Sequence, residues 1–360
     1  MVNKARAGWL AGVAAVSAMM LSACSGASAD PSTSGAPSEA PPVTPTELSI
    51  VAYSVAQKPN QAVQEAFAKT DAGAGVTWVE SYGASGDQSR AVESGLEADY
   101  VHFSLASDVS RLVDADLVDE TWNTGPTKGV VTSSVVVFAV RPGNPKHIET
   151  WADLVKPGVE IITPNPGSSG SARWNILAAW GSVISAGGSE DQAKEYTTKL
   201  FNNVVSLPGS GRDATSAFLA GTGDVLLSYE NEAIAARQSG AELDYVVPDS
   251  TLRIDNPGAV LKDADPKAKA FLDYVLTPEA QAIYAGFGFR PVVDGVTLPE
   301  VKGANDPSDP FPAPGTLYTI DDNFGGWGEA ADKYFGDGEE GNPLGIITEL
   351  QQQTGQVGEE

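Results

Sequence analysis

Cysteine is almost absent from this chain: Cys24 is the single one in 360 residues, so no internal disulfide can form. Histidine is nearly as scarce. His102 falls on a predicted strand and His147 in a proline-flanked loop, and two such residues do not make the clustered ligand set that zinc or manganese wants. Basic residues are outnumbered, 22 Lys and Arg against 47 Asp and Glu, for a formal net charge of −25. Such a surface repels nucleic acid. After Cys24 no apolar run is long enough to cross a bilayer. What remains is 42% hydrophobic, and the roughly 310 residues beyond Glu47 are enough for a sizeable core that splits into two lobes.

The N-terminus reads as a signal sequence, with Lys4 and Arg6 as its positive region and Ala11 to Leu21 as a short apolar stretch. This runs into Leu21-Ser22-Ala23-Cys24, the spacing of a lipobox. Residues 1–23 are therefore expected to be a lipoprotein signal peptide, with Cys24 becoming the lipid-modified N-terminus. Cleavage there removes Lys4 and Arg6 but no acid, which takes the net charge from −25 to −27. Residues 24–47 are dominated by Ser, Ala, Pro, Thr and Gly and read as a flexible tether, with a typical span of roughly 25 Å.

From Leu48 onward short β-rich runs alternate with helical stretches, which predicts an α/β fold with a largely parallel sheet. The expected strands are Leu48–Tyr53, Val76–Glu80, Tyr100–Leu105, Ser134–Val140, Val159–Ile162, Val204–Leu207, Val225–Tyr229 and Leu243–Val247. Helices are expected over Asn60–Lys69, Ser85–Leu96, Ser171–Ile184, Gln192–Asn202, Ala214–Ala220, Asn231–Gln238 and Lys267–Tyr284, the last restarting at Thr277-Pro278-Glu279. One more is expected at Trp327–Phe335. Trp174, Leu177 and Trp180, spaced i, i+3 and i+6, are expected to pack a helix against the sheet.

Four strand ends run into turns of small residues that each open a helix: Ser81–Arg90 (SYGASGDQSR), Pro164–Asn175 (PNPGSSGSARWN), Pro208–Ala217 (PGSGRDATSA) and Ser228–Glu232 (SYENE). Ser85 followed by Gln88 predicts a capping box. Helix N-termini carry unpaired N–H groups and partial positive charge, so glycine and serine there let an anion approach backbone donors. Converging, such turns would bind an oxyanion.

TPNPGSSGSARWNILAAWG (Thr163–Gly181) and GDVLLSYENEA (Gly223–Ala233) resemble the sulfate- and thiosulfate-binding proteins of ABC importers. The resemblance extends through SGDQSRAVESGLEADYVHFSLASDV, TSSVVVFAVRPGNPK, LTPEAQAIYAGFGFRPV and FGGW. It implies a two-lobed periplasmic-binding-protein fold of type II with two chain crossings. Lobe 1 would be 48–139 with 248–300 and lobe 2 would be 140–247, while 301–360 forms a C-terminal segment packing on the lobes. It also implies a monomeric, membrane-anchored partner of an ABC permease, without cofactor and without catalysis. In that family the anion is held by neutral donors, and the matching positions here are Ser54, Ser85, Ser169, Gly170, Ser171, Gly211 and Tyr229, with Ser169 supplying its hydroxyl. Ser54 stands where the family commonly has Asp, Gly211 where it has Ala, and Tyr229 where it has Trp. The first two roles are main-chain ones. A phenol, however, donates from a different point than an indole and can also accept.

Sulfate has no proton to give at neutral pH, so its ideal pocket offers donors and no acceptor. Asp87, Asp213 and Glu230, beside the donor turns, are the argument for hydrogen phosphate, though acids in a first helical turn also complement the dipole. Arg90, Arg173 and Arg212 read as supports rather than ligands. Thiosulfate, molybdate and phosphate remain as alternative ligands. The adjacent tyrosines of iron-binding relatives do not occur. A secreted serine hydrolase would need a G-x-S-x-G elbow, whose spacing the Gly167–Gly170 turn lacks.

Overall fold

A computed structural model describes residues 45–338 and 342–356; the expected signal peptide, Cys24 and most of the expected tether lie outside the described residues. The first part of the fold runs β1 (Thr46–Tyr53), α1 (Gln57–Phe67), β2 (Val76–Gly83), α2 (Ser85–Glu93), β3 (Tyr100–His102), α3 (Ala106–Asp114) and β4 (Val130–Val140). The second runs α4 (Trp151–Leu154), β5 (Ile161–Ile162), α5 (Gly170–Ser185), α6 (Glu190–Asn202), β6 (Val204–Ser206), α7 (Gly211–Leu219), β7 (Val225–Tyr229), α8 (Glu230–Gln238) and β8 (Asp244–Val246). The chain then returns through β9 (Ser250–Val260), α9 (Pro266–Val275) and α10 (Pro278–Gly286), and ends in β10 (Thr316–Tyr318), α11 (Ile320–Phe324), α12 (Gly326–Phe335) and α13 (Ile346–Thr354).

The strands follow the order β2-β1-β3-β9-β4-β7-β5-β6, with β8 beside β4 and β10 beside β9. Two strands tie its halves together. β4 pairs with β9 up to Val135 and with β7 from Val136 onward, while β9 also pairs with β3 through Gly258, Ala259 and Val260. The sheet is more mixed than the sequence pattern suggests. Its βα units give parallel pairs, but every antiparallel pair among the described residues involves β4 or β9, because these strands carry the chain across and back.

β4 is buried on both faces, which is why it reads as a continuous apolar run. Val136, Phe138 and Val140 join the core around α5, whereas Val135, Val137 and Ala139 join the one around α7 and α8. Trp174 and Trp180 are buried in the first of these. There α12 closes over them, Trp327 edge-on to Trp174 at 4.6 Å and Tyr334 edge-on to Trp180 at 5.3 Å. The break at Thr277 is real, since its side chain caps α10 by accepting from the Ala280 N–H at 3.2 Å. No helix among the described residues is long and apolar enough to cross a membrane.

Candidate functional site

Each donor turn is a place where a strand stops and a helix starts. β1 ends at Tyr53 and a single 3₁₀ turn, Ser54–Ala56, follows at once. Gly83 and Ala84 link β2 to α2, Ser169 is the N-cap of α5, and Ser210 is the N-cap of α7. The first N–H groups of each helix lack an intrahelical partner and carry the positive end of its dipole.

These turns, three of the four expected together with the one after β1, line one small chamber, whereas no residue of the Ser228–Glu232 turn is in its lining. Ser54, Ser85, Ser169, Gly170, Ser171 and Gly211 all face it, joined by Ser104 and Ser210. No Asp, Glu, Lys, Arg or His is among its lining residues. The walls approach so closely that two of the glycines have no room for a side chain. A Cβ on Gly170 would stand 2.6 Å from Ser104 Oγ, and one on Gly211 would stand 2.8 Å from Ser171 Oγ. Ser169 makes no side-chain cap bond, which leaves its hydroxyl out of the helix's own hydrogen bonding.

Tyr229 is the sequence-inferred residue that does not line this chamber. It is 1% exposed and lies behind Ser104, with its phenol oxygen 2.7 Å from Ser104 Oγ. The capping box expected at Ser85 is also absent. Ala84 is the N-cap of α2 and Ser85 already lies inside the helix, so its hydroxyl is used elsewhere: it donates to Asp108 Oδ2 at 2.6 Å and accepts from the Ser104 N–H at 2.8 Å. Gln88 is held instead by the Ser81 hydroxyl at 2.8 Å.

The acids suspected of favouring hydrogen phosphate are not among the chamber's lining residues, although Asp87 and Asp213 line an adjoining pocket that shares Ser54, Gly83, Ala84 and Ser210 with it, and each has a partner. Asp87 pairs with Arg90. Asp213 accepts from the Ser210 hydroxyl at 2.7 Å. Glu230 is fully buried and takes Arg290 in a two-pronged pair at 2.7 and 3.0 Å; burial pushes its carboxyl up while Arg290 opposes the shift. Arg173 donates to the Pro166 carbonyl at 2.9 Å and stacks on Phe335, and Arg212 reaches Glu232 at 3.3 Å. A larger cavity among the described residues is lined by Lys58, Arg141 and Arg212 together with Glu232 and Glu242 and includes none of the chamber's serines or glycines.

His102 is buried, with Nδ1 3.0 Å from Asn60 Oδ1 and Nε2 3.1 Å from Thr132 Oγ1. No group of three or more His, Cys, Asp and Glu placed to hold a metal ion occurs among the described residues.

An α/β chain that crosses twice between the halves of its sheet, with a neutral donor-lined chamber at its helix starts, has the build of a two-lobed periplasmic-type solute-binding protein. The family model for bacterial extracellular solute-binding proteins matches residues 48–290. The chain is 42% identical to the sulfate-binding protein of Synechococcus elongatus, covering 82% of this chain and 85% of that one. It is 36% identical to the thiosulfate-binding protein of Pseudomonas aeruginosa, over 75% and 82%. Among solved structures, the sulfate-binding protein SubI from Mycobacterium tuberculosis H37Rv superposes with a TM-score of 0.75 at 44% identity, covering 81% of this chain and 99% of that one. The chain belongs to the sulfate- and thiosulfate-binding family of bacterial extracellular solute-binding proteins.

Proposed function

We propose that the protein captures sulfate in the Ser54–Ser85–Ser169–Gly211 chamber and delivers it to an ABC permease, without performing catalysis. The two lobes, 48–139 with 248–300 and 140–247, move about the crossing strands β4 and β9. The single observation that supports this most is the chamber itself: helix starts from both halves of the sheet converge on one small space whose lining holds no carboxylate and no cation. A fully ionised tetrahedral dianion fits a donor-only wall, because nothing in the wall has to give up or take a proton. With a net charge of −25 opposing it, binding rests on local dipoles and short charge-assisted hydrogen bonds rather than on steering.

The family's sulfate- and thiosulfate-binding members support the ligand class, and 42% identity to a sulfate-binding relative favours sulfate. The lipobox places the protein on the extracytoplasmic face of the membrane, anchored through Cys24, with residues 24–47 as a tether. Calorimetry of the purified protein against sulfate, thiosulfate, molybdate and phosphate tests the ligand. Sulfate is expected to bind tightest, and phosphate binding more tightly than sulfate at neutral pH would refute the assignment.

A further inference from the structure

Ser104 was not marked by any glycine or helix-start motif, yet it stands in the chamber wall at the end of β3, and its hydrogen-bonding groups can be accounted for one by one. Its N–H donates to Ser85 Oγ at 2.8 Å. Its carbonyl accepts from the Trp174 indole at 2.9 Å and from the Asn256 amide at 3.1 Å. Its hydroxyl has one partner among the described residues, the phenol of Tyr229 at 2.7 Å.

The direction of that last bond follows from what lies behind Tyr229. The Tyr53 hydroxyl donates to Asn256 Oδ1 at 3.0 Å, and the Asn256 amide nitrogen is given to the Ser104 carbonyl. The Tyr229 hydroxyl is buried with Ser104 Oγ as its one hydrogen-bond partner among the described residues, so its proton has no other acceptor there. Given to Ser104 Oγ, that proton leaves the Ser104 O–H with no acceptor among the described residues, at a residue that faces the chamber. Burial also holds the Tyr229 proton in place, since its pKa lies well above the ordinary phenol value.

We infer that Ser104 donates its hydroxyl proton directly to the bound anion, and that Tyr229 is a positioning residue that acts only through Ser104. The inference rests on the oxyanion reading of the chamber. It reassigns the donor that the family resemblance puts at position 229: a short hydroxyl in the wall, oriented by a phenol behind it, takes the place of one indole N–H. The series Tyr229 to Ser104 to anion points each proton toward the dianion, and hydrogen bonds in such a series strengthen one another.

A double-mutant cycle read by sulfate calorimetry tests it, with thermal melts confirming the fold. The parent must first show sulfate binding; an absence of heat from the parent sinks the oxyanion reading and this inference with it. Given parental binding, Ser104→Ala is expected to weaken sulfate by roughly ten- to a hundredfold, as for a lost hydrogen bond to a charged group. Tyr229→Phe alone should give a smaller, several-fold loss, and in the Ser104→Ala background it should add nothing. Ser104→Cys, which keeps the size of the side chain but donates weakly, should fall near Ser104→Ala and serves if the alanine variant does not fold. Parental affinity in Ser104→Ala, or in Ser104→Cys where that variant stands in for it, would overturn the assignment. So would losses that multiply in the double variant, because Tyr229 would then be reaching the anion by itself.

Discussion

Behind the chamber wall the carboxylate of Asp108 accepts the hydroxyl proton of Ser85 at 2.6 Å. The contact directs this carboxylate at Ser85, and Asp108 is not among the chamber's lining residues. Burial pushes the Asp108 carboxyl up, while the Ser85 hydroxyl and the charges of Arg173, Arg111 and Arg90 pull the other way. A ligand that brings its own proton therefore meets no carboxylate in the wall to receive it. Hydrogen phosphate should bind more weakly than sulfate by roughly ten- to a hundredfold, the cost of one buried donor without a partner. Sulfate affinity should stay level between about pH 6 and about pH 9, since the dianion carries no titrating proton there and the wall holds no carboxylate. Competition calorimetry across that range checks both. A strong rise in phosphate affinity on either side would point to a carboxylate within reach of the ligand.

Ser169 is the second hydroxyl expected to donate to the anion. Its side chain makes no cap bond, and the N–H groups of Gly170 and Ser171 follow it at the start of α5. Ser169→Ala should lower sulfate affinity by roughly ten- to a hundredfold and leave the melting temperature unchanged. Gly170→Ala should be worse, because a Cβ there meets Ser104 Oγ and Leu105 at once. Parental affinity for Ser169→Ala would move the anion away from the start of α5.

Much of this arrangement can be read from the sequence, because glycine and serine turns after β-branched runs are local features. Each of the eight expected strands has a counterpart, and six of the seven residues proposed for the anion line one chamber. Longer-range effects are not written locally. β9 was missed because Arg253, Asp255, Asn256, Pro257 and Gly258 break any alternation, and a proline argues against a central strand. It is tolerated where the register of β4 shifts between Val130 and Thr132. α3 was missed because Leu105, its N-cap, gives no capping side chain to announce it. Ser104 carries no motif of its own, and its importance comes from Tyr229, 125 residues further along.

The Glu230–Arg290 pair connects the start of α8 to the segment after α10, and Glu230 is wholly buried. Removing one partner leaves a charge uncompensated, so Arg290→Ala should cost about 3–5 kcal/mol in a denaturant melt. Replacing both residues, as in Glu230→Gln with Arg290→Met, should recover part of that loss. Equal stability for Arg290→Ala and the parent would show that Glu230 is held neutral.

Cys24→Ser should release the protein from the membrane while leaving sulfate affinity intact, because the tether separates the anchor from the fold. Fractionation and calorimetry of the same variant check the two halves of this expectation. Membrane retention as firm as the parent's would end the lipobox reading.

His102 provides a stability test that is independent of the ligand. It is buried among Asn60, Thr132, Tyr53 and Tyr284, and burial pushes its pKa from 6.5 down to about 3. The folded protein thus refuses a proton that the unfolded chain accepts below pH 6.5. Its contribution is present in full above the unfolded value, falls as the pH drops, and is gone once the pH passes the folded value, with a slope of at most about 1.4 kcal/mol per pH unit. The buried acids Asp108, Glu230 and Glu232 work in the opposite sense. Burial raises their carboxyls, so what they contribute is present at low pH and lost as the pH rises. The parent's pH curve is therefore a sum of opposed terms, and only a comparison isolates the imidazole. His102→Gln will lower stability at every pH, since it disturbs a packed site. In urea melts between about pH 6.5 and about pH 4, its stability should nevertheless fall less steeply than the parent's, by up to one proton's worth of slope. Parallel curves would mean that His102 takes up its proton in the folded state, which the Asn60 and Thr132 contacts would then have to accommodate.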